Sequence, residues 1–150
     1  MRAEGALGTD PSTRRLAQDD SCGGLDVIIP TNINGVDVTS IADSTFDGDA
    51  LTSIQIPNTV TEIGYGSFYG TSISSLVIPN SVTTIQSYAF ADGGQITNLT
   101  LSNNLTTISD SAFQANNIAS INIPDSVTTI EGSAFYGNNL STLTHLGMIG

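Results

Sequence analysis

Residues 73–90 read ISSLVIPNSVTTIQSYAF, and the same sentence returns at 118–135 as IASINIPDSVTTIEGSAF. Two further copies, LTSIQIPNTVTEIGYGSF at 51–68 and ITNLTLSNNLTTISDSAF at 96–113, keep the recurring aliphatic positions and the phenylalanine in register. The phenylalanines Phe46, Phe68, Phe90, Phe113 and Phe135 are spaced 22, 22, 23 and 22 residues apart, and Ile41, Ile63, Ile85, Ile108 and Ile130 hold the same spacing. A first unit begins at Leu25 with five extra residues between Pro30 and Val38, and a partial sixth begins at Leu140. Self-similarity at a fixed period of this length is the signature of a stacked repeat.

Each unit opens on L-x-x-L-x-L spacing: Leu51, Ile54 and Ile56, then Ile73, Leu76 and Ile78. Side chains two apart on a strand share a face, so these aliphatics point inward. Pro30, Pro57, Pro79 and Pro124 follow, with Ser102 in the fourth unit; lacking an N–H, proline ends the strand and turns the chain. Next come the inward pairs Val60 with Ile63, Val82 with Ile85, Leu105 with Ile108 and Val127 with Ile130. A small residue then precedes the phenylalanine, which fills the opposite wall. Gly70, Gly93, Gly94, Asn116, Asn117, Gly137, Asn138 and Asn139 supply the turn into the next unit. Twenty-two residues leave no room for a strand and a full crossover helix. The spacing predicts a β-rich solenoid: a right-handed coil of leucine-rich-repeat type, one parallel strand per repeat of about 22 residues, and little helix.

These units resemble the BspA-type leucine-rich repeats, whose pattern runs L-x-x-L-x-I-P-x-x-V-x-x-I-x-x-x-A-F. The likeness covers about residues 25–146, and IPNSVTTIQSYAF and IPDSVTTIEGSAF carry it most specifically. One departure is informative. The family often places cysteine shortly after the A-F pair, where this chain has Thr71, Asn116 and Asn138. Asparagine can still make the side-chain-to-backbone bonds that a coil corner needs. The resemblance implies a surface protein, bacterial or protozoan, that binds host matrix proteins or other cells.

Charge excludes several classes of function. Three arginines (Arg2, Arg14, Arg15) and no lysine stand against 14 acids, for a net charge of −11, and no Lys or Arg occurs from Leu25 onward. Nucleic-acid binding requires a basic stripe, and anionic membranes and Arg/Lys clamps on phosphate or carboxylate substrates are disfavoured for the same reason. No apolar run approaches the ~18 residues of a spanning helix, so no membrane insertion is expected. A lone Cys22 and a lone His145 cannot build a Cys/His zinc site. Abundant Ser and Thr (37 residues), with 12 Asn and 17 Ile, suit β-rich repetition.

Residues 1–24 are polar and aperiodic and read as a flexible, disordered leader; residues 25–150 form the solenoid, five repeats plus a partial sixth.

Candidate reactive residues are scattered. Glu62 and Glu131 are the only glutamates of the array and lie three coils apart, roughly 14 Å at the strand spacing, too far for a glycosidase carboxylate pair. Asp43 and Asp110 share one repeat position and read as solvated corner acids. Asp47-Gly48-Asp49 could touch calcium, but that ion needs six to eight oxygens, and a glycine-containing corner is the simpler reading. Asn98, Asn104 and Asn139 head N-x-[ST] sequons, close to chance in this composition. Stacked Thr39, Thr61, Thr83, Thr106 and Thr128, with Ser40, Glu62, Thr84, Thr107 and Thr129 beside them, resemble an ice-binding ladder. Threonine also simply suits stacked strands, with its hydroxyl satisfying the coil edge. No catalytic site, cofactor or metal is expected.

What remains is the outward strand face: Ser53, Gln55, Ser75, Val77, Asn98, Thr100, Ser120 and Asn122, with Asp26 and Ile28 in the first unit. It forms a nearly uncharged polar sheet about 25 Å long. Short side chains on a rigid sheet lose little entropy on binding. The expectation is a non-enzymatic interaction or adhesion module, extracellular or at the cell surface, binding a protein or glycan. The alternative is a structural spacer without a ligand, and an ice-binding surface comes third.

Overall fold

In the computed structural model, residues 6–7 and 24–145 are described, the side chains of 6–7 and 143–145 excepted. These residues form a parallel β-solenoid of about five turns, with no helix among them. Each coil contributes the expected strand: β2 (Leu25–Ile28), β6 (Leu51–Gln55), β8 (Ser75–Val77), β10 (Asn98–Thr100), β12 (Ser120–Ile123) and β14 (Thr142–His145). Pairing is parallel, with Ser75 opposite Asn98, Val77 opposite Thr100, and Ser120 opposite Thr142, and with one register shift in the β2–β6 pair between Leu25 and Asp26. The proline turn closes through an N–H three residues on: Val60 to Pro57 O, Val82 to Pro79 O and Val127 to Pro124 O, at 3.0–3.1 Å. Where Ser102 replaces the proline, its hydroxyl donates to Val82 O at 2.6 Å.

A second wall adds a two-residue strand to every coil: β5 (Ser40–Ile41), β7 (Glu62–Ile63), β9 (Thr84–Ile85), β11 (Thr107–Ile108) and β13 (Thr129–Ile130). Ile41 pairs with Ile63 and Ile63 with Ile85. The threonine column runs along this wall, where the hydroxyls of Thr61, Thr83 and Thr128 donate to the carbonyl oxygens of Thr39, Thr61 and Thr106 at 3.2–3.3 Å. Those bonds match the structural reading of the column: threonine here joins coil to coil.

The third wall is a turn around each phenylalanine, stitched like the strands. Phe46, Phe68, Phe90 and Phe113 each donate their N–H to a carbonyl of the next coil, on Ser67, Ala89, Ala112 and Ala134, at 2.7–2.9 Å. The residues two before and two after these phenylalanines sit in the left-handed region: Ser44, Gly66, Tyr88 and Ser111 before, Gly48, Gly70, Asp92 and Ala115 after. The rings form one continuous column, with centroids 5.1, 4.9, 5.6 and 5.6 Å apart and planes within 14° of parallel. Phe68, Phe90 and Phe113 are fully buried, and the alanine, serine or threonine before each ring is buried beside it.

The five extra residues of the first unit make a hairpin, β3 (Asn32–Ile33) and β4 (Val36–Asp37), turned at Asn34-Gly35 with positive φ at both residues. That is the geometry an Asn-Gly hairpin turn requires. Ile130 departs from the inward pattern: unlike Ile41, Ile63, Ile85 and Ile108, it is 47% exposed, since no described coil stacks over it. Of residues 1–24, only Ala6–Leu7 and Gly24 are described; β1 (Ala6–Leu7) pairs in parallel with β5, and the expected leader otherwise lies outside the described residues.

The positions that carry cysteine in the resembling repeats do the work expected of their substitutes. Thr71 donates to Phe68 O at 2.9 Å. Asn116 donates to Phe90 O at 2.7 Å and accepts from Ile96 N at 3.3 Å. Asn138 repeats this one coil on, donating to Phe113 O at 2.8 Å and accepting from Ile118 N at 3.0 Å. A primary amide can satisfy a carbonyl and an N–H together, which a thiol does only weakly.

Candidate functional site: the outward strand face

Alternation along each strand decides which side chains reach solvent. Val27, Ile54, Leu76, Ile121 and Ile123 are buried, while Asp26, Ile28, Ser53, Gln55, Ser75, Val77, Asn98, Thr100, Ser120 and Asn122 are exposed. All eight residues singled out in the sequence therefore lie on one outward wall. Ladder pairing matches them two coils at a time, Asp26 with Ser53 and Ile28 with Gln55, Ser75 with Asn98 and Val77 with Thr100, and Ser120 with Thr142. Asp26 is the one charge on it among these residues, and its carboxylate accepts from Ser53 Oγ at 2.7 Å. Ile28 (68% exposed) and Val77 (61%) are its apolar points. Between β10, β12 and β14, Thr97, Asn98, Thr100, Ser120, Asn122 and Thr142 border an open groove of about 420 Å³. Its lining offers hydroxyls and amides with no reactive pair.

The other candidates are dispersed and mostly structural. Asp43 accepts the N–H of Tyr65 at 2.8 Å and Asp110 that of Ser133 at 3.0 Å, each from the next coil. These acids are therefore braces between coils as well as solvated groups. A Cβ at Gly64 would stand 2.6 Å from the Asp43 carboxylate, so the brace depends on glycine there. Glu62 accepts from Gln86 Nε2 at 2.8 Å and Glu131 from Asp110 N at 3.2 Å. No group of three or more His, Cys, Asp or Glu that could hold a metal occurs among the described residues. Of the sequon asparagines, Asn104 is tied to Asn80 O at 2.6 Å and Asn139 bonds Asn117, while Asn98 lies on the strand face. His145 falls opposite Ile123 in the ladder, and Cys22 lies outside the described residues.

Sequence reasoning missed a tyrosine cluster on the turn wall. Tyr65, Tyr69 and Tyr88 come together beside Ser44, Gly66 and Asp47 around an open hollow of about 310 Å³. The Tyr69 hydroxyl donates to the Asp92 carboxylate. That bond and the Asp92 charge, then burial, Asp47 and Tyr88, raise the Tyr69 pKa above 10.0. The signal was present: three of the four tyrosines fall between 65 and 88, at outward places beside inward phenylalanines.

A coil of 22 or 23 residues with a parallel ladder on its strand wall and an internal phenylalanine column defines a leucine-rich-repeat solenoid. The chain belongs to the BspA type leucine rich repeat family, whose model matches six copies across residues 26–144. Its fold is similar to that of a leucine-rich repeat protein from Bacteroides ovatus, at 27% identity and a TM-score of 0.73, over 87% of this chain and 41% of that one. It is also similar to the pneumococcal vaccine antigen PcpA, at 20% identity and a TM-score of 0.74, over 87% and 43% of the two chains. A leucine-rich repeat protein from Bacteroides capillosus aligns at 24% identity and a TM-score of 0.51, over 88% and 85%. The chain thus spans about two fifths of the first two. No curated protein matches it.

Proposed function

We propose that this chain is a non-enzymatic interaction or adhesion module, acting outside the cell or at its surface, that binds a protein or glycan through the outward strand face. The observation that carries the reading is the pair of in-register, solvent-facing columns through Ser75/Asn98 and Val77/Thr100, continued by Ser120 and Asn122. Their side chains are not needed by the core and are held on a rigid wall, so ordering them on binding costs little. With no aromatic among its outward residues, one array binds weakly, and display of many copies supplies avidity. The family assignment and the spread of the acids over separate coils support a binding role over a catalytic one.

The test is a binding screen against matrix proteins and surface glycans, followed by the double change Val77→Arg with Thr100→Arg. Both sites face solvent, so the thermal midpoint should stay nearly unchanged while binding is lost. Because the face is nearly uncharged, binding should weaken little between low and physiological salt. A ligand held undiminished by the double variant would place recognition elsewhere, and a screen with no ligand would favour the spacer.

A further inference from the structure

The tyrosine hollow on the turn wall has no part in the strand-face reading and stands on separate observations. The rings of Tyr65 and Tyr88 are 5.6 Å apart between centroids and tilted by 57°, so they form the sides of a wedge. Tyr65 is 48% exposed. Tyr88 stands on a left-handed backbone, with φ of 59°. Asp47 lines the same hollow, is exposed, and its carboxylate accepts no hydrogen bond from a described residue. Asp92 is held close by through the Tyr69 hydroxyl. No Lys or Arg occurs anywhere between residues 25 and 150, so the solenoid has no cationic side chain to offset these two carboxylates, other than its single histidine.

Ring faces and carboxylates both attract a cation. A guanidinium adds planarity: it can stack on a ring and present its N–H edge to a carboxylate at once, which an ammonium does less well. We propose that Tyr65, Tyr88 and Asp47 form a receptor for an arginine side chain in a basic segment of a partner protein, with Asp92 adding negative potential. A sugar would use the rings and hydrogen-bond the carboxylates, yet leave their charge unneutralised; the charge complementarity selects arginine.

The probe is acetyl-tetra-arginine amide, titrated into the full chain and followed by tyrosine fluorescence and amide chemical shifts. There is no tryptophan and three of the four tyrosines stand at the hollow, so the fluorescence reports the site directly. Saturable binding is expected, falling steeply as salt rises, in contrast to the strand face. Tyr65→Ala and Asp47→Asn should each weaken it about fivefold or more. Asp125→Asn, an exposed acid on a proline turn, should change it by less than about twofold. Circular dichroism and thermal midpoints of the variants check that the fold is intact.

Equal weakening by Asp125→Asn and Asp47→Asn would reduce the effect to bulk charge and overturn the site. A neutral oligosaccharide that moves the Tyr65 and Tyr88 signals where the peptide does not would overturn the choice of arginine. If replacing Arg14 and Arg15 with serine shifts those signals without peptide, the occupant is this chain or a second copy, and the partner assignment falls. Salt response and the Tyr65→Ala readout separate failure here from failure of the strand-face reading.

Discussion

The side-chain amide of Asn116 donates to the carbonyl oxygen of Phe90, 2.7 Å away and one coil back, while its own oxygen accepts the N–H of Ile96. One buried residue thus closes two backbone groups that the turn leaves outside any ladder, and unpaired buried groups of this kind are costly. Asn116→Ala should destabilise the chain by about 2–4 kcal/mol, measured by urea unfolding. Asn116→Asp should be no better, since a carboxylate faces the Phe90 carbonyl with no N–H to give. Asn117→Ala, next door but exposed, loses only the solvent-facing bond from Asn139 and should cost about 1 kcal/mol or less. A neutral Asn116→Ala would show that water replaces the amide and that the corner is not closed by it.

The phenylalanine column predicts a position-dependent loss. Phe90 is buried and stacks on both sides, 4.9 Å from Phe68 and 5.6 Å from Phe113, whereas Phe135 is half-buried and, among the described residues, stacks on one ring, Phe113. Phe90→Ala should cost about 3–5 kcal/mol, and Phe135→Ala clearly less. Equal losses in chemical denaturation would contradict stability built from neighbour contacts along a one-dimensional stack.

What the sequence made legible was whatever repeats. Ile54, Leu76 and Ile121 face inward because a strand alternates, and Phe68 and Phe90 stack because the coil returns every 22 residues; both follow from spacing alone. The outward residues Gln55, Val77, Thr100 and Asn122 were legible for the same reason. What was missed lies outside the repeat spacing. The insertion after Pro30 was visible as five extra residues, and its Asn34-Gly35 pair already carried the signature of the hairpin that positive φ at both residues builds, a signal passed over in reading the spacing. Tyr65 and Tyr88 occupy different repeat positions, three and two residues before their phenylalanines, so the period does not pair them, yet their rings meet across the coils. The bracing role of Asp43 was hidden too, since it needs the close approach that Gly64 allows.

Left-handed backbone at a fixed place in each coil makes Ala115 an opportunity. Gly48, Gly70 and Gly137 occupy the equivalent position in other coils, while Ala115 holds φ of 52° with a Cβ. That conformation costs a non-glycine residue about 1–2 kcal/mol, and glycine gives back about 0.4–1 kcal/mol through the freer unfolded chain. Ala115→Gly should therefore stabilise by up to about 1 kcal/mol, read as a higher urea midpoint at unchanged slope. A lower midpoint would mean that the methyl packs well enough to outweigh the strain.

Tyr69 supplies a pH test of the turn wall. Its hydroxyl donates to Asp92, and that hydrogen bond together with the Asp92 charge holds the phenol protonated, so its pKa is raised from 10.0. The unfolded chain loses this proton first as pH climbs. The stabilisation is therefore fully present below pH 10 and is lost as pH rises through the higher folded value. An ultraviolet titration of the phenolate band should show the Tyr69 step displaced to higher pH. Asp92→Asn should bring it back toward 10.0, because the charge that opposes the phenolate is gone while an oxygen acceptor remains. The substitution is clean with respect to the backbone: Asp92 has φ of 58°, and asparagine tolerates that region well. A titration curve that Asp92→Asn leaves unaltered would show that the two side chains do not meet in solution.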